Sequence, residues 1–368
     1  MGDGQPTSGV VPSDQVTPEE LQLATRNHGM PLEVLRHALT PIGLHYLLVH
    51  YDIPVIEADS WTLEVGGRVD RPLSLSLADL HRRPQRTVVA TMECAGNGRA
   101  GLSPRALSQP WLLEAVGTGA WTGTPLGPLL AEAGVARDAV EVVFRGQDRG
   151  IEGGLEQNFE RSLPLEEGLR EDVILAYELN GQPLPPQHGF PLRLLVPGWY
   201  GMTNVKWLTA ITVVGEPFTG FQQARGYRLR REDDEQGAPL SRMLPRALMV
   251  PPGIPECFSR RRTVRLGPCS LEGRAWSGHA PVTAVDVSTA GGKSWSAAQL
   301  DQPPPSPWAW RGWRCLWQPR QAGDYELCCR ARDAAGNQQP LSAPWNLGGY
   351  ANNSVQRVAV TVQDAAPD

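Results

Sequence analysis

Three observations set the fold class. The chain has 368 residues, more than one ordinary core supports, which predicts two or three domains. Up to about residue 217, helical and strand patterns mix without a repeating strand–helix unit. No Gly-x-Gly-x-x-Gly opens a helix there, which disfavours a dinucleotide-binding fold. From about residue 256 the pattern becomes a series of short period-two runs with turn residues between them. Together these predict an α+β chain, a mixed α/β domain followed by an all-β immunoglobulin-like sandwich.

The elements follow in order. Residues 1–17 are rich in Gly, Pro, Ser and Thr and read as a flexible tail. Thr17-Pro18-Glu19-Glu20 opens a helix, with a capping hydroxyl, proline in the first turn and acids at the positive end, running towards Asn27-His28-Gly29. Pro31 opens a second helical stretch to Leu39, with Leu32, Leu35 and Leu39 on one face. Trp61, Leu63 and Val65 alternate as a strand. Ser76 to Arg82 reads as a short helix, and Val88, Ala90 and Met92 share one face of the next strand. Leu126 to Ala133 is helical, Val140, Val142 and Phe144 alternate, and Val173–Tyr177 and Leu192–Val196 are further strands. The first domain is thus placed at 18–217. The arginine- and proline-rich stretch 218–255 reads as a linker or arm that carries Tyr227. The sandwich is placed at 256–368, on the alternation of Val285 and Val287, of Tyr325, Leu327, Cys329 and Ala331, and of Val358, Val360 and Val362.

Composition excludes several classes. A hydrophobic share of 41% with 20% charged residues fits a globular chain rather than a disordered one. A net charge of −5 argues against a nucleic-acid partner. No run approaches ~18 uninterrupted apolar residues, so no membrane helix is expected. The first residues lack a basic start and an apolar segment, so the expected compartment is cytoplasmic, or periplasmic for a processed chain. None of the six cysteines lies in a Cys-x-x-Cys pair, and reduced thiols are expected.

The residues with chemical potential centre on Thr91-Met92-Glu93-Cys94-Ala95-Gly96-Asn97-Gly98-Arg99. Cys94 ends a strand, a glycine turn follows, and Arg99 supplies positive charge. That setting favours the thiolate, the form that binds metals, while the residue-level alternative is a buried structural cysteine in a non-catalytic binding protein. Further on lie Gln187-His188-Gly189-Phe190-Pro191-Leu192-Arg193, then Pro197-Gly198-Trp199-Tyr200-Gly201 and Asn204-Val205-Lys206-Trp207. Arg193 and Lys206 are the cationic donors a phosphate needs. Asp148, in Phe144-Arg145-Gly146-Gln147-Asp148, can accept hydrogen bonds, and the Tyr227 phenol can donate one.

Cys94-Ala95-Gly96-Asn97 with Arg99, taken with these later clusters, resembles the sulfite oxidase family of molybdenum enzymes from about Thr40 to the end of the chain. The resemblance implies that Cys94 is the protein's ligand to molybdenum. It implies that His50, Asp148, His188, Arg193, Asn204 and Lys206 seat a molybdopterin, and that Arg99 and Tyr227 face the substrate. It implies oxygen-atom transfer, most simply oxidation of the small anion sulfite to sulfate. Reduction of nitrate or a sulfoxide on the same centre is the alternative. No haem or flavin domain is read in the chain, so a separate electron acceptor is expected, such as a cytochrome or oxygen, and the sandwich implies a homodimer. Two departures stand out. The family pattern Arg-Asn-His is here Leu48-Val49-His50, although Arg26-Asn27-His28 occurs earlier. After Arg274-Ala275-Trp276-Ser277-Gly278, where some sulfite oxidisers carry an arginine, this chain has His279-Ala280-Pro281. Trp111 is a candidate wall of the pocket.

Overall fold

The computed structural model describes residues 10–11 and 15–364. Most of the tail read at 1–17 lies outside them, but Val10–Val11 pairs antiparallel with Arg105–Ala106. Among the described residues no helix is long and apolar enough to cross a membrane.

The first domain is built on two five-stranded sheets. One runs in the order Gln182–Pro183, Ile174–Leu179, Val116–Pro125, Arg86–Glu93, with Arg193–Leu195 also pairing with Ile174–Leu179. The other runs Leu73–Ser76, Thr62–Gly67, Leu208–Val214, Glu141–Glu152, Leu155–Pro164, its Thr62–Gly67 and Leu208–Val214 strands parallel. The helices at its margins are short. Leu126–Ala133 matches the expected span, and Leu77–His81 is capped by Ser76, whose hydroxyl accepts from the Asp79 amide.

The strand Arg86–Glu93 positions everything that follows. Period two puts Val88, Ala90 and Met92 on one face, and Cys94, the next residue of that parity, continues it. All four belong to one buried cluster with Trp111, Trp121 and Leu195. Thr91 and Glu93 take the opposite face, towards the C-terminal half: the Thr91 amide donates to the Trp308 carbonyl, and Trp276 Nε1 donates to Glu93.

Two expectations near the N-terminus need correction. The first helix, Pro18–Ala24, carries the expected capping hydroxyl, within a capping box with Glu20, but ends before Asn27, whose side chain bonds the Val49 amide and Gln109 instead. Leu32–Arg36 is a single tight turn rather than a helix to Leu39, and Leu39 is exposed. The turn follows Pro31 and packs on the C-terminal half, where Arg274 bonds the Leu35 and Arg36 carbonyls in place of further helical turns.

The C-terminal half is a two-sheet sandwich. Four strands, Arg246–Met249, Cys269–Trp276, Arg311–Trp317 and Gln299–Leu300, face six that include Gly323–Asp333 and Gln356–Gln363. Val285, Val287, Leu327, Cys329, Ala331, Val358, Val360 and Val362 fill the core between them, as their alternation requires. Arg246–Met249 already pairs with Gly273–Trp276, so the sandwich takes in ten residues that read as arm. The rest of the arm is folded back on the first domain: Tyr227 and Leu240 lie in its core cluster.

The first helix is tied to the loop after the cysteine by a buried ion pair. Arg105 Nη2 lies 3.0 Å from Glu20 Oε2, with Nη1 on Oε1, and the two side chains are 3% and 0% exposed. Glu20→Gln strands the Arg105 charge and is expected to cost roughly 3–5 kcal/mol in urea unfolding. A loss below about 1 kcal/mol would show that Arg105 reaches water when its partner is removed.

Candidate active site

Cys94 forms part of the wall of two adjoining chambers. The inner one is lined by Cys94, His45, His50, Asp148, His188, Arg193, Asn204 and Lys206. The outer one is lined by Cys94, Arg99, Trp111, Glu152, Tyr227 and Tyr350, among others. Leu48, His50 and Tyr227 line both. The structure thus gathers every sequence-predicted site residue around one sulfur and divides them into two groups.

The inner chamber is assembled by close backbone approach. Gly189 has φ +106°, and a Cβ there would meet the Cβ atoms of Lys206 and Arg193 at 3.1 and 3.2 Å. Only glycine lets the segments carrying His188, Arg193 and Lys206 converge. Gly146 does the same for Asp148, since a Cβ would lie 2.4 Å from the Asp148 carboxylate. Asp148 itself sits where the Glu141–Glu152 and Leu155–Pro164 hairpin slips register, between Arg145 and Arg149.

The cations of this chamber are held by carbonyls. Arg193 donates to the His188 and Asn204 carbonyls at 3.0 and 3.1 Å, and Lys206 Nζ to those of Leu48 and Gln187 at 2.9 and 3.1 Å. Neither makes an ion pair among the described residues; Asp148 acts on Lys206 through space. Burial lowers the pKa of Lys206 and raises that of Asp148. Among the described residues, buried Arg193 Nε, a donor, and His45 Nε2, the acceptor of a neutral ring whose Nδ1 donates to the Tyr46 carbonyl, have no partner. Cations bonded to carbonyls and, for Arg193 Nη2, to Met92 Sδ at 3.3 Å, beside one orphaned donor and one orphaned acceptor, fit a bound anion with ring nitrogens, as a molybdopterin and its phosphate require. Asn204 plays a different part. Its side chain accepts from the Val196 amide at 2.7 Å and donates to the Tyr200 carbonyl at 3.2 Å, so it shapes the cradle.

The cysteine differs from its sequence reading. Burial pushes the Cys94 thiol up, against the opposing pull of the Arg99 cation and the Gly96 amide. The surroundings do not prime a thiolate; a bound metal would, since it deprotonates a coordinating thiol outright. Arg99 is nonetheless close. A Cβ on Gly96 would stand 2.7 Å from its guanidinium, and Arg99 is fixed by the Gly348 carbonyl at 3.0 Å and the Gln109 carbonyl at 3.1 Å.

Tyr227 touches His50, its hydroxyl against the ring Nε2. Burial, Lys206 and Arg26 push the His50 pKa down to about 3, so the ring is neutral. With the proton on Nδ1, Nε2 accepts from the phenol, which burial holds protonated. His50 is stacked on Phe159 at 4.5 Å between ring centroids.

Sequence reasoning missed two lining residues. His45 is buried beside His188, ring centroids 5.5 Å apart, and only its place five residues before His50 hinted at a role. Tyr350 comes from the far end of the chain, its ring 5.0 Å from the Arg99 guanidinium and 5.3 Å from the Tyr227 ring. The Asn346-Leu347-Gly348-Gly349 turn before it was its one local signal. Trp111 does wall the outer chamber. His279, Ala280 and Pro281 line neither chamber. The Arg26 triplet folds back on the Leu47–His50 segment. His28 bridges Leu47, and Arg26 Nη2 stands 3.5 Å from the His50 carbonyl, outside the lining.

Three buried histidines make stability depend on pH. Burial leads the downward shift in each, to about 4 for His45, about 3 for His50 and about 2 for His188, where the nearby cations add to it. Below pH 6.5 the unfolded chain takes up protons that the folded chain refuses, so stability is complete above 6.5 and declines as pH falls. The ceiling is about 1.4 kcal/mol per pH unit for each ring, hence ~4 for three; Asp148, whose pKa burial raises to about 7, gives a slope of the same size and opposite sign and leaves a net of ~3. Urea unfolding of the pterin-free protein at pH 7, 6 and 5 should show this net decline, with His45→Phe flattening it by up to about one-half. A flat profile between pH 6.5 and 5 would contradict the assignment.

Known proteins are similar to this chain in sequence and in fold. The oxidoreductase molybdopterin binding domain matches residues 50–222, and the Mo-co oxidoreductase dimerisation domain matches residues 257–363. Mitochondrial sulfite oxidase of Homo sapiens is 36% identical over 354 residues, 90% of this chain and 63% of that protein. Sulfite oxidase of Gallus gallus is 36% identical over 349 residues, 89% of this chain and 74% of that one. Inducible nitrate reductase [NADH] 2 of Glycine max is 32% identical over 369 residues, 91% of this chain and 41% of that one. This chain therefore spans about two thirds of the sulfite oxidases and less than half of the nitrate reductase. The crystal structure of the sulfane dehydrogenase SoxCD from Paracoccus pantotrophus shares the fold, with a TM-score of 0.78 at 24% identity over 98% of this chain and 96% of that one. The chain belongs to the sulfite oxidase family of molybdenum-cofactor oxidoreductases.

Proposed function

We propose that the chain is an oxygen-atom-transfer enzyme that oxidises sulfite to sulfate and hands the electrons to a separate acceptor, a cytochrome or oxygen. The observation that carries this reading is the position of Cys94, one sulfur in the wall of both a cation-lined chamber and an aromatic, arginine-bearing one. In this reading Cys94 ligates molybdenum. Arg193 and Lys206 take the phosphate of the pterin, His188 and His50 border its ring system, and Asp148 accepts from its N–H groups. Asn204 holds the backbone that shapes this cradle. When bound, the cofactor supplies two-electron oxygen-atom transfer, and the chain supplies binding, orientation and charge.

On the outer side Arg99 binds substrate oxygens. Its guanidinium is held by two carbonyls and stacked on Tyr350, so it is oriented before substrate arrives. Burial keeps Tyr227 protonated; its one O–H, which donates to His50 Nε2 in the structure, turns to a substrate oxygen when substrate binds. Leu48 and Trp111 present apolar surface that keeps water from this space and strengthens the charge interactions within it. The match of residues 257–363 to a dimerisation domain supports a homodimer.

A second reading is reduction of nitrate or a sulfoxide at the same centre. Leu48 stands where the family pattern has arginine, and the Glu152 carboxylate lines the outer chamber and opposes a dianion. One set of measurements decides. The purified protein should carry close to one molybdenum per chain and reduce an artificial acceptor when sulfite is added. Cys94→Ser should lower turnover on the order of 10²-fold or more, at least the loss seen for residues that merely support a metal's ligands. Nitrate or sulfoxide turnover exceeding sulfite turnover would favour the second reading. Full activity in Cys94→Ser would reject both.

A further inference from the structure

The outer chamber has one lining arginine, Arg99, yet a second guanidinium lies immediately behind its wall. Arg161 projects from the strand Leu155–Pro164 on the same face as Phe159, which stacks on His50. Its guanidinium stands 5.5 Å from the centroid of the Tyr227 ring. Tyr227 meets Tyr350, and Tyr350 lies against Arg99. The order is Arg99, Tyr350, Tyr227, Arg161: two tyrosines between two cations.

Arg161 is fully buried, at 0% exposure. It makes no ion pair among the described residues, whereas the other fully buried arginine, Arg246, is paired with Glu93. Its Nη1 donates to the Gln222 carbonyl, while Nε and Nη2 have no partner among the described residues. The one carboxylate lining the chamber, Glu152, is engaged by Tyr51 at 3.2 Å and by Gln222 at 2.5 Å. Burial lowers the Arg161 pKa to about 10, which leaves the group charged at neutral pH. A fold gains little from a buried cation without a counter-ion, and replacing such a charge with an apolar side chain of similar length is often neutral or stabilising. The face of an aromatic ring is a favourable surface for a cation, and a dry interior does not screen the charge as salt water would.

We infer that Arg161 is a positioning residue for substrate: its charge, acting through the Tyr227 ring, makes the outer chamber select doubly charged oxyanions over singly charged or neutral ligands. The inference rests on reading this chamber as the substrate site. Arg161 does not line the chamber, so it acts at a distance, and its effect scales with the charge of the ligand. It offers a source for positive charge that Leu48 does not supply.

The test uses holoenzyme and three probes of different charge: sulfate, nitrate and dimethyl sulfoxide, with binding measured by calorimetry and by competition against sulfite. Arg161→Met should bind sulfate about tenfold more weakly and nitrate about threefold more weakly, with dimethyl sulfoxide unchanged and the thermal midpoint equal to or above that of the wild type. Arg161→Lys should recover part of the sulfate affinity. Equal sulfate affinity in wild type and Arg161→Met would overturn the inference and leave the proposed function standing. Equal losses for all three probes, or an Arg161→Met chain that does not fold, would show the residue to be structural. Wild-type holoenzyme that binds neither sulfate nor sulfite would remove the substrate reading on which the inference rests.

Discussion

Glu93 is the residue on which the rest depends. It stands next to Cys94 and points the opposite way, because neighbours on a strand face opposite sides. Its carboxylate lies 2.8 Å from Arg246 Nε, accepts from Trp276 Nε1 at 2.9 Å and from Asn97 Nδ2 at 3.0 Å. Arg246 and Trp276 belong to the C-terminal sandwich, and Asn97 to the cysteine loop. A single buried carboxylate therefore joins the turn that carries the sulfur to the domain that closes over it. The desolvation cost of a buried ion pair offsets much of its Coulomb gain, but breaking one leaves an uncompensated charge, so the geometry is strongly held.

The closure is continued by the segment after Trp345. The Ala351 amide donates to the Ala95 carbonyl at 2.8 Å, Asn352 Nδ2 to the Gly98 carbonyl at 2.7 Å, and Arg99 to the Gly348 carbonyl. Gly98 is left-handed, at φ +91°, and a Cβ there would lie 2.8 Å from the Asn352 carbonyl. The glycine turn is thus needed twice, for its backbone angle and for the approach of a second domain. Arg99 and Tyr350 share the outer chamber only because this strap lies where it does, so that chamber is a product of both domains.

Much of the fold was legible in period-two patterns. The helix Leu126–Ala133 and the sandwich strands announce themselves because one face is buried and the other more exposed, and the strand leading to Cys94 because its apolar residues keep to one face while the other carries the buried polar Thr91 and Glu93. Failures came where long-range bonds override local preference. Asn27 leaves its helix for Val49, and the Arg246–Met249 strand, buried at all four positions, shows no alternation. In the site, residues within marked motifs were found: Cys94, His188, Arg193 and Lys206 sit beside glycine turns whose purpose is close approach. Tyr350 and Arg161 were not found, since a turn before a tyrosine is a weak signal and an arginine in a strand gives none. Their surroundings are made by chain 61 to 251 residues away in sequence, from Arg161 to Gln222 and from Arg99 to Tyr350. The reading of a primed thiolate failed for a physical reason: proximity of Arg99 was visible in the sequence, whereas the depth of burial that outweighs it was not.

The two chambers also explain how such a site tolerates change. In the inner one, Arg193 and Lys206 are bonded to main-chain carbonyls, which do not neutralise them, so positive potential is preserved for an anion. Those bonds are made by backbone whose course is set by Gly189 and the adjacent turns, which leaves little freedom to relocate either cation. The outer chamber is built differently. Its charge enters from the Cys94 loop, and the walls are side chains from separate strands and from the C-terminal strap. A cation can leave one wall and enter behind another without disturbing the sulfur, because Coulomb attraction falls slowly with distance in a dry interior and does not require contact. Leucine at position 48 is compatible with an anion site on that account, and the apolar side chain lowers the local dielectric through which the remaining guanidinium groups act.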